Sequence, residues 1–290
     1  MTTFAPLTLD LTFKRVFAKQ RNMALLLFLL NTFLKKVLKK PITKASIIQT
    51  VELGETNKTK VSVFDMQCED AEGNRFIVEM QVGEQEHFIK RTLFYICRAI
   101  SNLVRKGKSR VNGKKVPYDY NLPVVYTLSF LNFDLDFGKN CDEVIQYLSI
   151  SNDLHPEIRY DLIHMVYVQL MKFCKREEEC RTDLEKLLFS FKNAQSLAEK
   201  PKSFKKAAFE QIYELAKISN FNMEEHMDYE RKMKYLSDYA NTIAFAEKKG
   251  IAEGKAKGLL QAARQMKAKG FGVAVISEIT GLPEKEIERL

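Results

Sequence analysis

Two acidic side chains, Asp65 and Glu79, stand one on each arm of a stretch that reads as a β-hairpin. The arms are residues 60–69 and 75–82, rich in Val, Ile and Phe as strands are. Asp70-Ala71-Glu72-Gly73-Asn74 between them is turn chemistry, with Gly73 suited to the positive φ that ends a three-residue loop. Strand side chains alternate between faces. One face carries Phe64, Met66, Cys68, Phe76, Val78, Met80 and Val82, and must pack on something. The other starts apolar with Val61 and Val63, then turns polar through Asp65, Gln67, Arg75, Glu79 and Gln81. A loop of Ala71–Gly73 sets Asp65 opposite Glu79, with their Cβ atoms about 5 Å apart. Carboxylates that close repel each other unless a cation lies between them. Hard divalent ions take oxygen ligands and usually one or two carboxylates. A hairpin with one wet face fits the same residues, and a one-residue change in the loop breaks the pairing.

Asp65 followed by Glu79-Met80-Gln81 resembles the D…(D/E)-x-K signature of the PD-(D/E)XK nuclease superfamily, with Gln in the Lys slot. Three more stretches resemble its Rpn-type recombination-promoting nuclease/putative transposase branch. The first is Asp10-Leu11-Thr12-Phe13-Lys14-Arg15-Val16-Phe17 with Phe28-Leu29-Leu30-Asn31. The second is Phe88, Arg91 and Phe94-Tyr95, after the hairpin. The third is a Gly-spaced charged helix, then Ile279-Thr280-Gly281-Leu282-Pro283 and Ile287. Together they run in the family's order over nearly the whole chain.

The resemblance implies a restriction-endonuclease-like α/β fold: a mixed central sheet flanked by helices, with an all-helical C-terminal extension. It implies a metal-dependent DNA endonuclease with little sequence specificity, linked to recombination, mobile elements or genome defence. Asp65 and Glu79 would hold Mg²⁺ or another divalent cation, with the Met80 carbonyl as a third oxygen. Asp10 is the candidate for a further acid from an early helix; it reads equally as that helix's N-cap. Gln81 would orient the attacking water where the superfamily usually has Lys. A neutral amide takes no proton, so a phosphate oxygen or a hydroxide on the ion would have to. Two rival readings remain open: a decayed site on a DNA-binding or assembly protein, and a protein-interaction scaffold.

The 290 residues are 46% hydrophobic and 29% charged, which gives room for a sizeable core in one large domain or two. A net charge of +9 suits a polyanionic partner such as DNA. The stretch 105–115 holds Arg105, Lys106, Lys108, Arg110, Lys114 and Lys115 and no acid, and Gly107, Asn112 and Gly113 make it a loop or short hairpin turn. It is the first candidate for contact with the DNA backbone. Arg91, Tyr95 and Arg98 share one face of a helix expected over 86–106 and would hold phosphate there, Arg by bidentate bonds. For both features a solvated surface is the plain alternative. The five cysteines lack any Cys-x-x-Cys pair, which suits free thiols in a reducing cytosol, and Cys68 and Cys97 read as buried. The apolar run 23–30 is far short of the ~20 residues needed to cross a bilayer, so no membrane is expected. No P-loop and no G-x-S-x-G occurs.

Helices are expected over 10–19 and 22–39, the second ending in Lys35, Lys36, Lys39 and Lys40. Strands follow at 47–53, 123–133, 144–150 and 158–170, although a helix fits the last as well. His164 reads as a core histidine with no acid on its face. From residue 177 onward the pattern is helical: 183–198, 203–219 and 223–246, the last running on to 269 past Gly250, Gly254 and Gly258. That glycine spacing reads as a weakly stable helix or as a ridge against a partner helix, which leaves a homo-oligomer through the C-terminal helices open. A small helix-turn-helix closes the sequence, too acidic in its second helix to read a DNA groove. The expected domains are a nuclease-like core over 1–176, a helical subdomain over 177–245 and a C-terminal module over 246–290.

Overall fold

The computed structural model describes residues 3–48, 66–83, 86–105, 110, 111, 114, 115, 122–137 and 141–290. For residues 102–105, 110, 111, 114 and 115 only the backbone is described. The expected strand over 47–53 lies mostly outside them.

The centre is a six-stranded mixed sheet in the order β1-β2-β3-β6-β8-β7. Its strands are β1 (Ala45–Ile48), β2 (Met66–Asp70), β3 (Arg75–Gln81), β6 (Val125–Leu131), β7 (Ile145–Ser151) and β8 (Arg159–Gln169). β3, β6 and β8 run parallel, and antiparallel partners extend the sheet on both sides. Every residue of β6 is buried, as the near-continuous apolar run at 123–133 requires of a strand covered on both faces.

The β2–β3 hairpin has the expected loop. Cys68 pairs with Phe76 and Glu69 with Arg75, leaving Ala71–Gly73 between the Asp70 and Asn74 backbones. Asp70 Oδ1 accepts from the amides of Glu72 and Asn74, both at 2.9 Å, and Gly73 takes φ 86°. The two faces also separate as the alternation demands. Met66, Cys68, Phe76 and Val78 enter the main core, whereas Ile77 packs beneath the long helix α3 (Phe88–Arg105) with Ile96, Ala99 and Val125. Burial pushes the Cys68 thiol up to about 12, so this sulfur behaves as a small apolar group.

The main core is closed by α1 (Asp10–Phe17), α2 (Met23–Phe33), α4 (Asp183–Asn193) and α5 (Ala207–Ala216). Phe33, Phe130 and Phe191 meet at ring separations of 4.4–6.4 Å, joining α2 and α4 to the sheet. Phe76, Tyr126 and His164 stack in register across β3, β6 and β8 at 5.0 Å.

α2 stops at Phe33, short of the expected 39. The Asn31 side chain clamps the returning chain, donating to the Ile42 carbonyl at 2.8 Å and accepting from its amide at 2.7 Å. The lysines expected at the helix end therefore lie in a connection: Lys39 pairs with Asp161 at 2.6 Å, Lys40 pairs with Glu72, and Lys36 sits over the Tyr147 ring. His164 does have an acid beside it, contrary to its sequence reading. A register shift in the β7–β8 ladder brings Asp161 Oδ1 to 2.7 Å from its Nε2. Cys97, expected to be buried, is exposed, because α3 turns only Ile96, Ala99 and their turn-neighbours to the sheet.

The chain divides into compact units at 1–222 and 223–290, not at 176 and 245. Leu187, Phe191, Phe209 and Ile212 belong to the sheet's own core, so α4 and α5 are part of the first unit. In the second unit α6 (Met223–Ala268) is one continuous helix through all three glycines. Its C-terminal turns pack with α7 (Val273–Thr280) and α8 (Glu284–Glu288) around Ala263, Ile276 and Ile287. Gly281, at φ 69°, ends α7 in the left-handed conformation that glycine tolerates.

Glu185 closes the capping box of α4 with Thr182. The ammonium of Lys175, helped by the Thr182 and Arg181 amides, lowers its carboxyl to about 2. A depressed carboxyl stabilises the fold above its unfolded value of 4.5, and that contribution is lost as the pH falls toward 2. Urea titrations should therefore find Glu185→Gln destabilised by about 1–2 kcal/mol at pH 7, with the gap to wild type closing between pH 4.5 and 2.

Candidate active site

Glu79 and Gln81 occupy the C-terminal end of β3, on the face covered by α3. Met80 between them turns its side chain to the main core on the opposite face. One residue of α3 binds both polar neighbours. Arg91 Nη2 donates to Glu79 Oε1 at 2.7 Å and to Gln81 Oε1 at 2.8 Å. The Gln81 amide is oriented for this because its Nε2 donates to the Gly83 carbonyl at 2.8 Å. The guanidinium lies 4.8 Å from the Phe88 ring and 5.8 Å from the Tyr95 ring. The Glu79 side chain is 12% exposed and that of Arg91 24%, so the ion pair is largely dry and its attraction is little screened.

The surroundings of Glu79 are polar beneath the helix. Ser129 is its register partner on β6, and Tyr167 is the partner of Ser129 on β8. The hydroxyls of Ser129 and Thr127 are buried without a hydrogen-bond partner among the described residues. Burial, with the Glu79 charge adding to it, raises the Tyr167 phenol to about 12. The sequence reading passed over these groups. A signal was present: Thr127 and Ser129 alternate within an otherwise apolar strand, so both point to one face.

Asp65 lies outside the described residues. The β2–β3 register can be read only as far as Met66 opposite Val78. Asp10 is not the N-cap of α1. Leu9 holds that position without a side-chain cap, and Asp10 is the first helical residue, 2.7 Å from Lys14. Tyr95 and Arg98 are half-buried on the same side of α3 as Arg91. Arg91, expected to face phosphate, holds the two β3 side chains in this structure. In the basic stretch, Arg110 pairs with Lys115 and Val111 with Lys114 as a two-stranded hairpin, β4 (Arg110–Val111) and β5 (Lys114–Lys115). Arg105 ends α3, and Lys106 and Lys108 lie outside the described residues.

A sequence model of the PD-(D/E)XK nuclease family transposases matches residues 7–246. The chain belongs to that family. Its mixed sheet with flanking helices and helical C-terminal region is accordingly the restriction-endonuclease-like α/β fold. No curated protein matches the chain, and no solved structure does.

PD-(D/E)XK nucleases generally use divalent cations. Among the described residues no group of three or more His, Cys, Asp or Glu lies at metal-binding spacing. The donors that are described do suit such an ion in kind. A carboxylate and an amide oxygen are hard ligands, and the carboxylate already draws a cation. A cleft of about 490 Å³ lies at the other end of the sheet between Lys39, Lys40, Asp70, Glu72, Tyr126 and Asp161. Two of its lysines pair with its own acids, Lys39 with Asp161 and Lys40 with Glu72.

Gln81 is matched to Arg91 as Lys would not be, because an ammonium there would face a guanidinium in place of an amide oxygen. Gln81→Lys should lower the stability of the metal-free protein by about 1–2 kcal/mol in chemical denaturation. An unchanged midpoint would mean that the Arg91–Gln81 bond contributes nothing.

Proposed function

We propose that the chain is a divalent-metal-dependent DNA endonuclease, hydrolysing phosphodiester bonds with little sequence specificity. The observation that carries this reading is Glu79 with Gln81 at the end of β3, in a largely dry site, in a chain of the PD-(D/E)XK nuclease family. The pairing of Asp65 with Glu79 is part of the proposal, since Asp65 lies outside the described residues. Asp65 and Glu79 would hold the ion, with the Met80 carbonyl as a third oxygen. A divalent ion bound there would lower the pKa of its water and neutralise charge developing on the phosphorus. Gln81 would orient the attacking water through its amide. Having no basic nitrogen, it leaves the proton to a phosphate oxygen of the substrate. Asp10 would be the further acid from an early helix; in the structure it pairs with Lys14 at 2.7 Å.

Tyr95, Arg98 and the basic stretch Arg105, Lys106, Lys108, Arg110, Lys114 and Lys115 would hold the DNA backbone. The net charge of +9 supports that assignment, and nothing in these groups reads base identity. A place near recombination, mobile elements or genome defence rests on the family alone. The long exposed stretch of α6, residues 237–259, supports pairing with a second copy. All five cysteines are free thiols, which suits the cytoplasm. No described helix is long and apolar enough to cross a membrane.

Plasmid nicking tests the reading. With Mg²⁺ or Mn²⁺ the wild type should nick supercoiled DNA, and Asp65→Ala and Glu79→Ala should each lose at least about a hundredfold in rate. Equal nicking by all three proteins would reject the assignment. Salt-sensitive DNA binding without any nicking would instead identify a decayed site.

A further inference from the structure

We propose that Arg91 is an exchangeable counter-cation: it holds Glu79 and Gln81 while no divalent ion is bound, is displaced from both when one arrives, and is then free for a DNA phosphate. This rests on the reading of Glu79 as a metal ligand.

A single nitrogen of Arg91 bridges Glu79 Oε1 and Gln81 Oε1. Those oxygens belong to the two side chains that the chemistry would use. A nearly dry carboxylate cannot keep its charge cheaply without a cation, and Arg is always charged, so the pair satisfies the site before any metal enters. An ion on Glu79 would lie within about 5 Å of the guanidinium, where two positive centres repel strongly at low dielectric. Arg91 has somewhere to go. Its side chain is a quarter exposed, Glu79 is its one acidic partner among the described residues, and its buried Nε has no hydrogen-bond partner among them. A planar guanidinium with unused donors suits phosphate, which accepts two parallel N–H bonds. The same side chain therefore links the two ligands. Metal frees the group that DNA needs, and DNA holds away the group that competes with metal. By linkage, each must tighten the other by the same factor.

The test is Mn²⁺ binding by electron paramagnetic resonance on the full chain without DNA, for wild type, Arg91→Gln, Arg91→Lys and Glu79→Gln. Arg91→Gln should bind Mn²⁺ about tenfold more tightly than wild type, with Arg91→Lys in between. Damage to the fold would not tighten binding, so a gain separates competition from mere support. In Ca²⁺, wild type should bind a short duplex several-fold more tightly than in EDTA, and Arg91→Gln should lose most of that gain. Equal or weaker Mn²⁺ binding by Arg91→Gln would overturn the proposal. If that variant does not fold, equal or weaker binding by Arg91→Lys would do the same. If Glu79→Gln binds Mn²⁺ as well as wild type does, Glu79 is no ligand, and the nuclease reading falls together with this one.

Discussion

A carboxylate pressed between a sheet and a helix must have a cation, and the bond between Glu79 and Arg91 supplies one. Much of the local structure follows from that requirement. Arg91 has to come from the first turns of α3, which fixes how the helix crosses β3. Phe88 and Tyr95 flank the guanidinium, while Ile96 and Ala99, further along the same helix, seal the apolar part of the face. Gln81 turns its amide oxygen inward because Gly83 accepts from its nitrogen. The result is an ion pair that satisfies Glu79 with a group of the protein's own and that a stronger cation can alter.

The sheet explains where this cluster sits. The parallel trio β3, β6 and β8 needs both faces covered, and the chain supplies two unlike covers. On one side α1, α2, α4 and α5 build an apolar core of phenylalanines and leucines. On the other, α3 covers a face that mixes Ile77 and Val125 with Thr127, Ser129 and Glu79. Polar groups buried there are costly to stability unless they serve something. The family to which the chain belongs is one of nucleases, and the proposed function gives these groups a use.

The parts legible in the sequence were those set by local chemistry. Asp70 and Gly73 form the turn that fixes the hairpin register, and both roles can be read from residue type. The apolar run at β6 gave its own burial. The errors share a different cause, because each depends on a contact distant along the chain. Asn31 clamps Ile42 and ends α2 while its apolar pattern and lysines still suggest a helix. Asp161 and His164 lie on opposite faces of an ideal strand, and only the shifted β7–β8 register brings them together. Cys97 counted as core because a broad helical stripe does not say how much of it the sheet can cover. For Arg91 the helix spacing gives no sign of the strand acid beneath it, a contact that adds to its expected role and does not overturn it. Packing supplied the partner of Glu79, which no local pattern announces.

One measurement bears most directly on this account: a crystal structure after a Mn²⁺ soak, with anomalous differences locating the ion. The account predicts an ion bound by carboxylate oxygens of both Asp65 and Glu79, with the Arg91 guanidinium no longer on Glu79 Oε1. Millimolar Mn²⁺ that leaves the Glu79–Arg91 bond intact and places no ion beside either acid would contradict it.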